Sequence, residues 1–404
     1  MNKKVSLGVT VGLMALTAAV TFVVTGNISL EIFNKKVSGV NEKQEQYSKL
    51  AEADSFARNY YIGEIDETEL SDDIAAGYIN GLNDPYAVYY SADEAASLTS
   101  EYTGSSIGLG FSWEKDSSGY IRVSGVIENT SADEYGMKPG DIIMAVNNTN
   151  IISYPGGYSE AVKLFSSAEG TKVKLHIKRT AEDGTAEFSN YDLISSRTEI
   201  ISVTGRMIGT TGYIRISAFN DNTPKQFEDL LDTLRSEGAE KYIFDVRDDQ
   251  GGSMDALSEI LDDILPAGDI VRAYYKDHDE TVISATDDKS LDAPMVVLVN
   301  NGTKGEAELF AFALRDEKGA VTVGKTTYGK GYLQEIFRCS DGSAVKISTA
   351  SLRTKNSGEF NGRGLKPDHD VALSAGVEPF RLSAEEQEKY DAQLIKAIEA
   401  AETN

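Results

Sequence analysis

From Gly212 to Val323 the chain alternates strand-like and helix-like segments, and this rhythm limits the fold more than any other feature. GYIRIS (212–217) reads as a strand. Lys225 to Ser236 sets Phe227, Leu230, Leu231 and Leu234 at helical spacing, with Gly238 just past the end. Tyr242 to Val246 reads as a short buried strand, followed by the turn Asp249-Gln250-Gly251-Gly252. A helix over 254–264, a strand over 295–299, a helix over 307–316 and a strand over 320–323 continue the pattern. The expectation is a layered α/β domain with helices against a sheet. A further helix is expected over 384–402.

Before this region the period differs. Residues 46–81 are helical in pattern and end at Asp84-Pro85-Tyr86, where Pro85 closes the helical region. From Ile107 come short strands (120–126, 141–146, 171–178) with Gly and Asn turns and one helical stretch at 158–165, which predict a compact β-rich domain. At the start, Lys3 and Lys4 precede an uncharged run from Val5 to Gly26, long enough for a membrane-spanning helix of about twenty residues. A cleaved signal peptide shares the charged start and apolar centre, but no Ala-x-Ala site follows, which favours an uncleaved anchor. Residues 27–45 read as a polar stalk.

The net charge of -25 repels phosphate backbones and argues against nucleic acid as a partner. The lone Cys339 excludes an internal disulfide framework and CxxC zinc sites; it reads as a strand residue before the turn Ser340-Asp341-Gly342. The pairs Asp248-Asp249 and Asp262-Asp263 read as solvated faces rather than metal ligands, and no cofactor is implied. His176, His278 and His369 read as surface or strand residues outside any triad setting.

Two sets of motifs carry chemistry. Gly108-Leu109-Gly110-Phe111 allows backbone N–H groups to converge on an anion, where a peptide's terminal carboxylate can sit. With SADEYGMKPGDIIMAVNNTN (131–150) downstream, it closely resembles a PDZ domain, either a peptide receptor or a fold that only packs on its neighbour. GYIRISAF (212–219), FDVRDDQGG (244–252), VLVNNGTKGEAELFAFALRD (297–316), VGKTTYGKGYLQ (323–334) and NGRGLKPD (361–368) then occur in order. Together with the PDZ placement they resemble the C-terminal processing, or tail-specific, serine proteases. The resemblance implies an α/β protease-like domain with an inserted PDZ domain, behind a helical region and an anchor. The expected divisions are 1–26 anchor, 27–98 stalk and helical region, 99–185 PDZ domain, 186–383 protease-like domain and 384–404 C-terminal helix.

That family pairs a serine nucleophile with a lysine base whose amine must be desolvated to become neutral. The resemblance puts Lys330 at the base position and Gln334 at that of its supporting glutamine. It puts the oxyanion donors at the N–H of Gly251 or Gly252 and that of Glu306. The nucleophile position falls on Gly305 in Gly302-Thr303-Lys304-Gly305-Glu306-Ala307-Glu308, where glycine has no group to attack with. Lys304 and Glu306 also replace the family's alanines, and are expected to form a bulky pair in the cleft, with Glu306 answering Lys330. Ser166 stands where the family commonly has an arginine that couples the PDZ domain to the active site. The expectation is a membrane-anchored, extracytoplasmic protein that binds C-termini or extended segments of envelope proteins, with proteolysis lost or impaired. Two alternatives stand beside it: an active endopeptidase using Thr303, Ser253 or Thr327 with Lys330, or a non-catalytic partner of an active homologue. Homo-oligomers are a further possibility.

Overall fold

The computed structural model describes residue 44 and residues 47–181, 183–276, 281–286 and 290–403. The expected anchor at 1–26, all but Gln44 of the stalk at 27–45, and His278 lie outside the described residues. Among the described residues no helix is long and apolar enough to cross a membrane. The described residues up to Asp73 belong to one compact unit and those from Ile74 onward to a second. The helical stretch expected over 46–81 is broken at 61–66. Asp66 restarts it by accepting the N–H groups of Thr68 and Glu69, which caps the helix Glu67–Asn80.

The second unit is organised around a six-stranded sheet. Its strands are β1 (Val203–Ile208), β2 (Thr211–Ile216), β3 (Lys241–Asp245), β4 (Met295–Val299), β5 (Val321–Gly324) and β6 (His369–Asp370), in that spatial order. β1 is antiparallel to β2; the rest are parallel. All five residues of β4 are buried, as a parallel strand covered on both faces requires. Helices α1 (Thr223–Ser236), α2 (Met254–Asp262) and α3 (Glu306–Lys318) bury Phe227, Leu231, Ile260 and Phe310 against one face. Helix α4 (Ala392–Thr403) covers the other with Leu394, Ala397 and Ala401. The alternation read from the sequence is thus a three-layer body.

The C-terminal helix expected over 384–402 is two helices, Ala384–Tyr390 and α4, parted at Asp391. Asp391 is drawn inward by Arg247: Nη1 of Arg247 lies 3.1 Å from Asp391 Oδ1 and 2.9 Å from Gln393 Oε1. Asp391 Oδ1 also accepts the N–H groups of Gln393 and Leu394, which caps α4. Arg247 is 1% exposed and its Nε and Nη2 hold Asp245, so one guanidinium locks the end of β3 to α4.

The PDZ-like region has its own core of Leu109, Phe111, Ile121, Ile143, Phe165 and Leu175. Its sheet runs in the order 111–115, 121–126, 142–146, 172–180, 186–194. Asp141, 1% exposed, is held there by Arg179. The ribbon pairing Ser105–Gly108 with Ser196–Glu199 joins this region to the body. A further sheet, built on the strands Gly268–Tyr275, Tyr332–Arg338 and Ala344–Thr354, had no counterpart in the sequence reading. Cys339 sits just past one of these strands, exposed, rather than within it.

Arg247→Met removes the guanidinium and leaves two buried carboxylates without their cation, which costs about 3–5 kcal/mol. Denaturant unfolding of the variant is expected to show a midpoint lowered accordingly; an unchanged midpoint would remove Arg247 from its structural role.

Candidate functional site

The turns after β3 and β4 meet at the carboxyl ends of the parallel strands, where open α/β sheets place their ligand crevices. Side-chain and backbone bonds tie the two turns together. Asn300 Oδ1 accepts from the N–H groups of Asp248 and Gly302, and Asn300 Nδ2 donates to Asp248 Oδ1 at 2.9 Å. The Lys304 N–H donates to the Asp249 carbonyl at 2.9 Å. Thr303 Oγ1 donates to the Val246 carbonyl at 2.8 Å. Asp249, read as part of a solvated acidic face, is instead fully buried. Its Oδ1 accepts the Gly251 N–H at 2.8 Å, and burial pushes its carboxyl well above the usual range.

Gly305 opens α3 with φ 55° and ψ −116°, a left-handed conformation that strains any residue bearing a Cβ. Sharp strand-to-helix turns of this kind hold exposed nucleophiles in hydrolases. A Cβ built on Gly305 would lie 3.6 Å from Lys330 Cδ and 4.0 Å from Lys330 Nζ. A serine Oγ, one bond further out, would therefore fall within reach of that amine. The position that the resemblance assigns to the nucleophile thus faces Lys330 and carries no side chain.

Glu308, the last residue of the 302–308 motif and given no role from the sequence, proves to be the hub of the site. Fully buried, it accepts from the N–H groups of Gly305 (3.1 Å), Gly329 (2.7 Å) and Lys330 (2.7 Å) and from the hydroxyl of Thr327. Burial pushes its carboxyl above the ordinary value, against the pull of these donors. One carboxylate thus pins the Gly305 turn to the segment carrying Lys330. The Asp84-Pro85-Tyr86 motif supports that segment from outside. Asp84 Oδ2 accepts the Ser348 N–H at 3.0 Å, and the Tyr86 hydroxyl donates to the Gly329 carbonyl at 3.2 Å.

The donor side of the site holds a further departure. The Gly251 N–H is spent on Asp249, which leaves Gly252 as the cleft-facing donor of the pair. Gly252 has φ 149°, and a Cβ there would collide with the Phe219 carbonyl, so only glycine fits. Its N–H donates to Glu306 Oε2 at 2.8 Å. A side-chain carboxylate therefore takes the N–H that the resemblance assigned to an oxyanion. The expected pairing of Glu306 with Lys304 or Lys330 does not form; the Lys304 amine lies 4.6 Å from the Tyr328 ring centre instead. Lys330 is pulled below the ordinary lysine value by burial, with the nearby charge of Glu306 opposing. Gln334, expected to support it, donates through Nε2 to the Tyr86 carbonyl at 2.6 Å. Lys330, Gln334, Gly251, Gly252 and Glu306 do share the lining of one cavity of about 370 Å³.

The alternative hydroxyls are engaged elsewhere. Ser253 Oγ accepts the Ala256 N–H as the cap of α2, Thr303 holds Val246, and Thr327 holds Glu308 while accepting from the Leu365 N–H. In the PDZ-like region Leu109 N–H donates to the Phe165 carbonyl at 3.2 Å, and the Phe111 and Leu109 side chains are buried. The 108–111 segment is thus partly satisfied from within, with less of a free amide nest than its sequence suggests. Among the described residues no cluster of His, Cys, Asp and Glu is arranged to hold a metal ion.

Glu308→Gln turns an amide NH₂ toward at least one backbone N–H whichever way it sits, because each oxygen accepts from one. The variant is expected to lose about 1–3 kcal/mol in denaturant unfolding; a neutral result would contradict the hub.

Comparison with known proteins gives concordant matches. Residues 210–371 match peptidase family S41, residues 122–179 a PDZ domain, and residues 9–94 the activating protease CtpB N-terminal domain. The carboxy-terminal processing protease CtpA of Bacillus subtilis (strain 168) is 31% identical over 359 residues, covering 89% of this chain and 75% of that one. A probable CtpA-like serine protease of Staphylococcus haemolyticus is 26% identical, covering 89% of this chain and 71% of that protein. Among solved structures, the photosystem II D1 C-terminal processing protease overlays with a TM-score of 0.46 at 23% identity, over 79% of this chain and 85% of that one. A putative S41 protease from Bacteroides fragilis gives 0.48 at 15% identity, over 77% of this chain and 85% of that one. The chain belongs to the C-terminal processing proteases of peptidase family S41, with a PDZ domain preceding its peptidase region.

Proposed function

We propose that this protein has exchanged cleavage for binding: it takes protein C-termini or extended segments of envelope proteins into the former catalytic cleft. The observation that carries the reading is Glu306 Oε2 on the Gly252 N–H, beside a Gly305 that has no nucleophile. Either change alone disables acyl transfer. Without a hydroxyl nothing attacks the scissile carbonyl, and with an anion already on the donor a developing oxyanion meets repulsion instead of stabilisation. The retained Gly305 turn, Lys330 and cavity support a descent from a working protease, and a cleft of this size suits a few residues of extended chain. The commitments of Ser253, Thr303 and Thr327 weigh against a displaced nucleophile. The uncharged run from Val5 to Gly26 supports tethering to the cell membrane with the body outside the cytoplasm.

Cleavage of an unfolded substrate by wild type and four variants tests the reading. Wild type is expected to be silent. Gly305→Ser is expected to stay at least about a hundredfold below Gly305→Ser with Glu306→Ala, the cost of losing one oxyanion donor. Lys330→Ala in the active double variant is expected to abolish turnover. Cleavage by wild type, lost on Lys330→Ala, would overturn the proposal.

A further inference from the structure

The cleft walls carry two amines and one carboxylate: Lys330, Lys346 and Glu306. In a chain of net charge -25 this is a local excess of positive charge. Lys346 comes from the strand Ala344–Thr354, a different element from the segment bearing Lys330, so the two amines face the cavity from separate parts of the fold. Neither amine is in an ion pair or hydrogen bond among the described residues. Lys330 Nζ lies 5.9 Å from the Tyr86 ring centre and Lys346 Nζ 5.7 Å from that of Tyr90, so each amine has an aromatic face beside it rather than a counter-ion. Both side chains are half-buried. Like charges in a partly desolvated space repel, and Lys346 and Lys304 both act on Lys330 in that sense. Glu306 is committed to the Gly252 N–H and relieves this only in part.

We infer that Lys330 and Lys346 form a receptor for the free α-carboxylate of a peptide chain end, so that the cleft recognises termini and not internal segments. The inference rests on the binding function proposed above and names its ligand. An α-carboxylate bridging the two amines neutralises the cavity and makes two charge-assisted hydrogen bonds. The preceding residue then lies along Ile200, Phe219 and Tyr332, the apolar part of the same wall. The PDZ-like loop is the less suited receptor, because its Leu109 N–H is already given to the Phe165 carbonyl.

Fluorescence anisotropy of short labelled peptides with an apolar last residue, each made as the free acid and as the C-terminal amide, tests the assignment on the full chain. Wild type is expected to bind the acid at least about tenfold more tightly than the amide, the value of one charge-assisted hydrogen bond. Lys346→Met and Lys330→Met are each expected to weaken acid binding more than amide binding, so that the preference for the acid is lost. Glu306→Gln, which removes the competing charge, is expected to tighten acid binding. Equal binding of acid and amide by wild type overturns the carboxylate receptor but leaves the binding function standing. An acid preference that survives both lysine variants moves the carboxylate elsewhere and overturns it as well. No binding of either form overturns the binding function itself, and the receptor with it.

Discussion

The Glu308 carboxylate is the interaction on which the cleft depends. It sits in the first turn of α3, reaches back to the N–H of Gly305, and gathers Thr327, Gly329 and Lys330 from a segment about twenty positions downstream. A buried carboxylate is costly unless its lone pairs are filled, and here donors converge from two turns to fill them. The arrangement holds the amine of Lys330 opposite the Cα of Gly305 whether or not a side chain grows from it. The two turns are thus held together by a group other than Gly305 and Lys330 themselves.

On the donor side, Glu306 follows from the same framework. It is the first residue of α3, and a carboxylate there faces the partial positive charge of the helix N-terminus as well as the Gly252 N–H. An alanine at this position leaves that N–H free for a substrate oxygen. A glutamate satisfies it internally and orders the turn. Lys304, by contrast, turns outward to the Tyr328 ring and leaves the cavity to Lys330 and Lys346.

Much of this was legible in the sequence. The buried parallel strands show as short apolar runs, and α1 shows as a clear helical stripe, because burial on a sheet imposes those periods directly. The motif spacing located Lys330 and the Gly251-Gly252 turn, which the fold brings into one cavity, and Gly305, which it sets beside Lys330. What escaped depends on long-range contacts. Asp391 breaks the last helix because Arg247, far earlier in the chain, draws it inward. Asp249 reads as surface because acidic pairs usually are, yet the Gly251 N–H and the crossing turn cover it. The destination of Glu306 depends on a turn fifty-four positions away, which local pattern does not encode.

The central claim is that Glu306 occupies the Gly252 donor, and amide NMR of the protein with isotope-labelled glycine reads it directly. The account predicts a Gly252 amide proton shifted downfield and protected from solvent exchange in wild type, with both features lost in Glu306→Ala. A Gly252 amide with the same shift and exchange rate in the two proteins would contradict it.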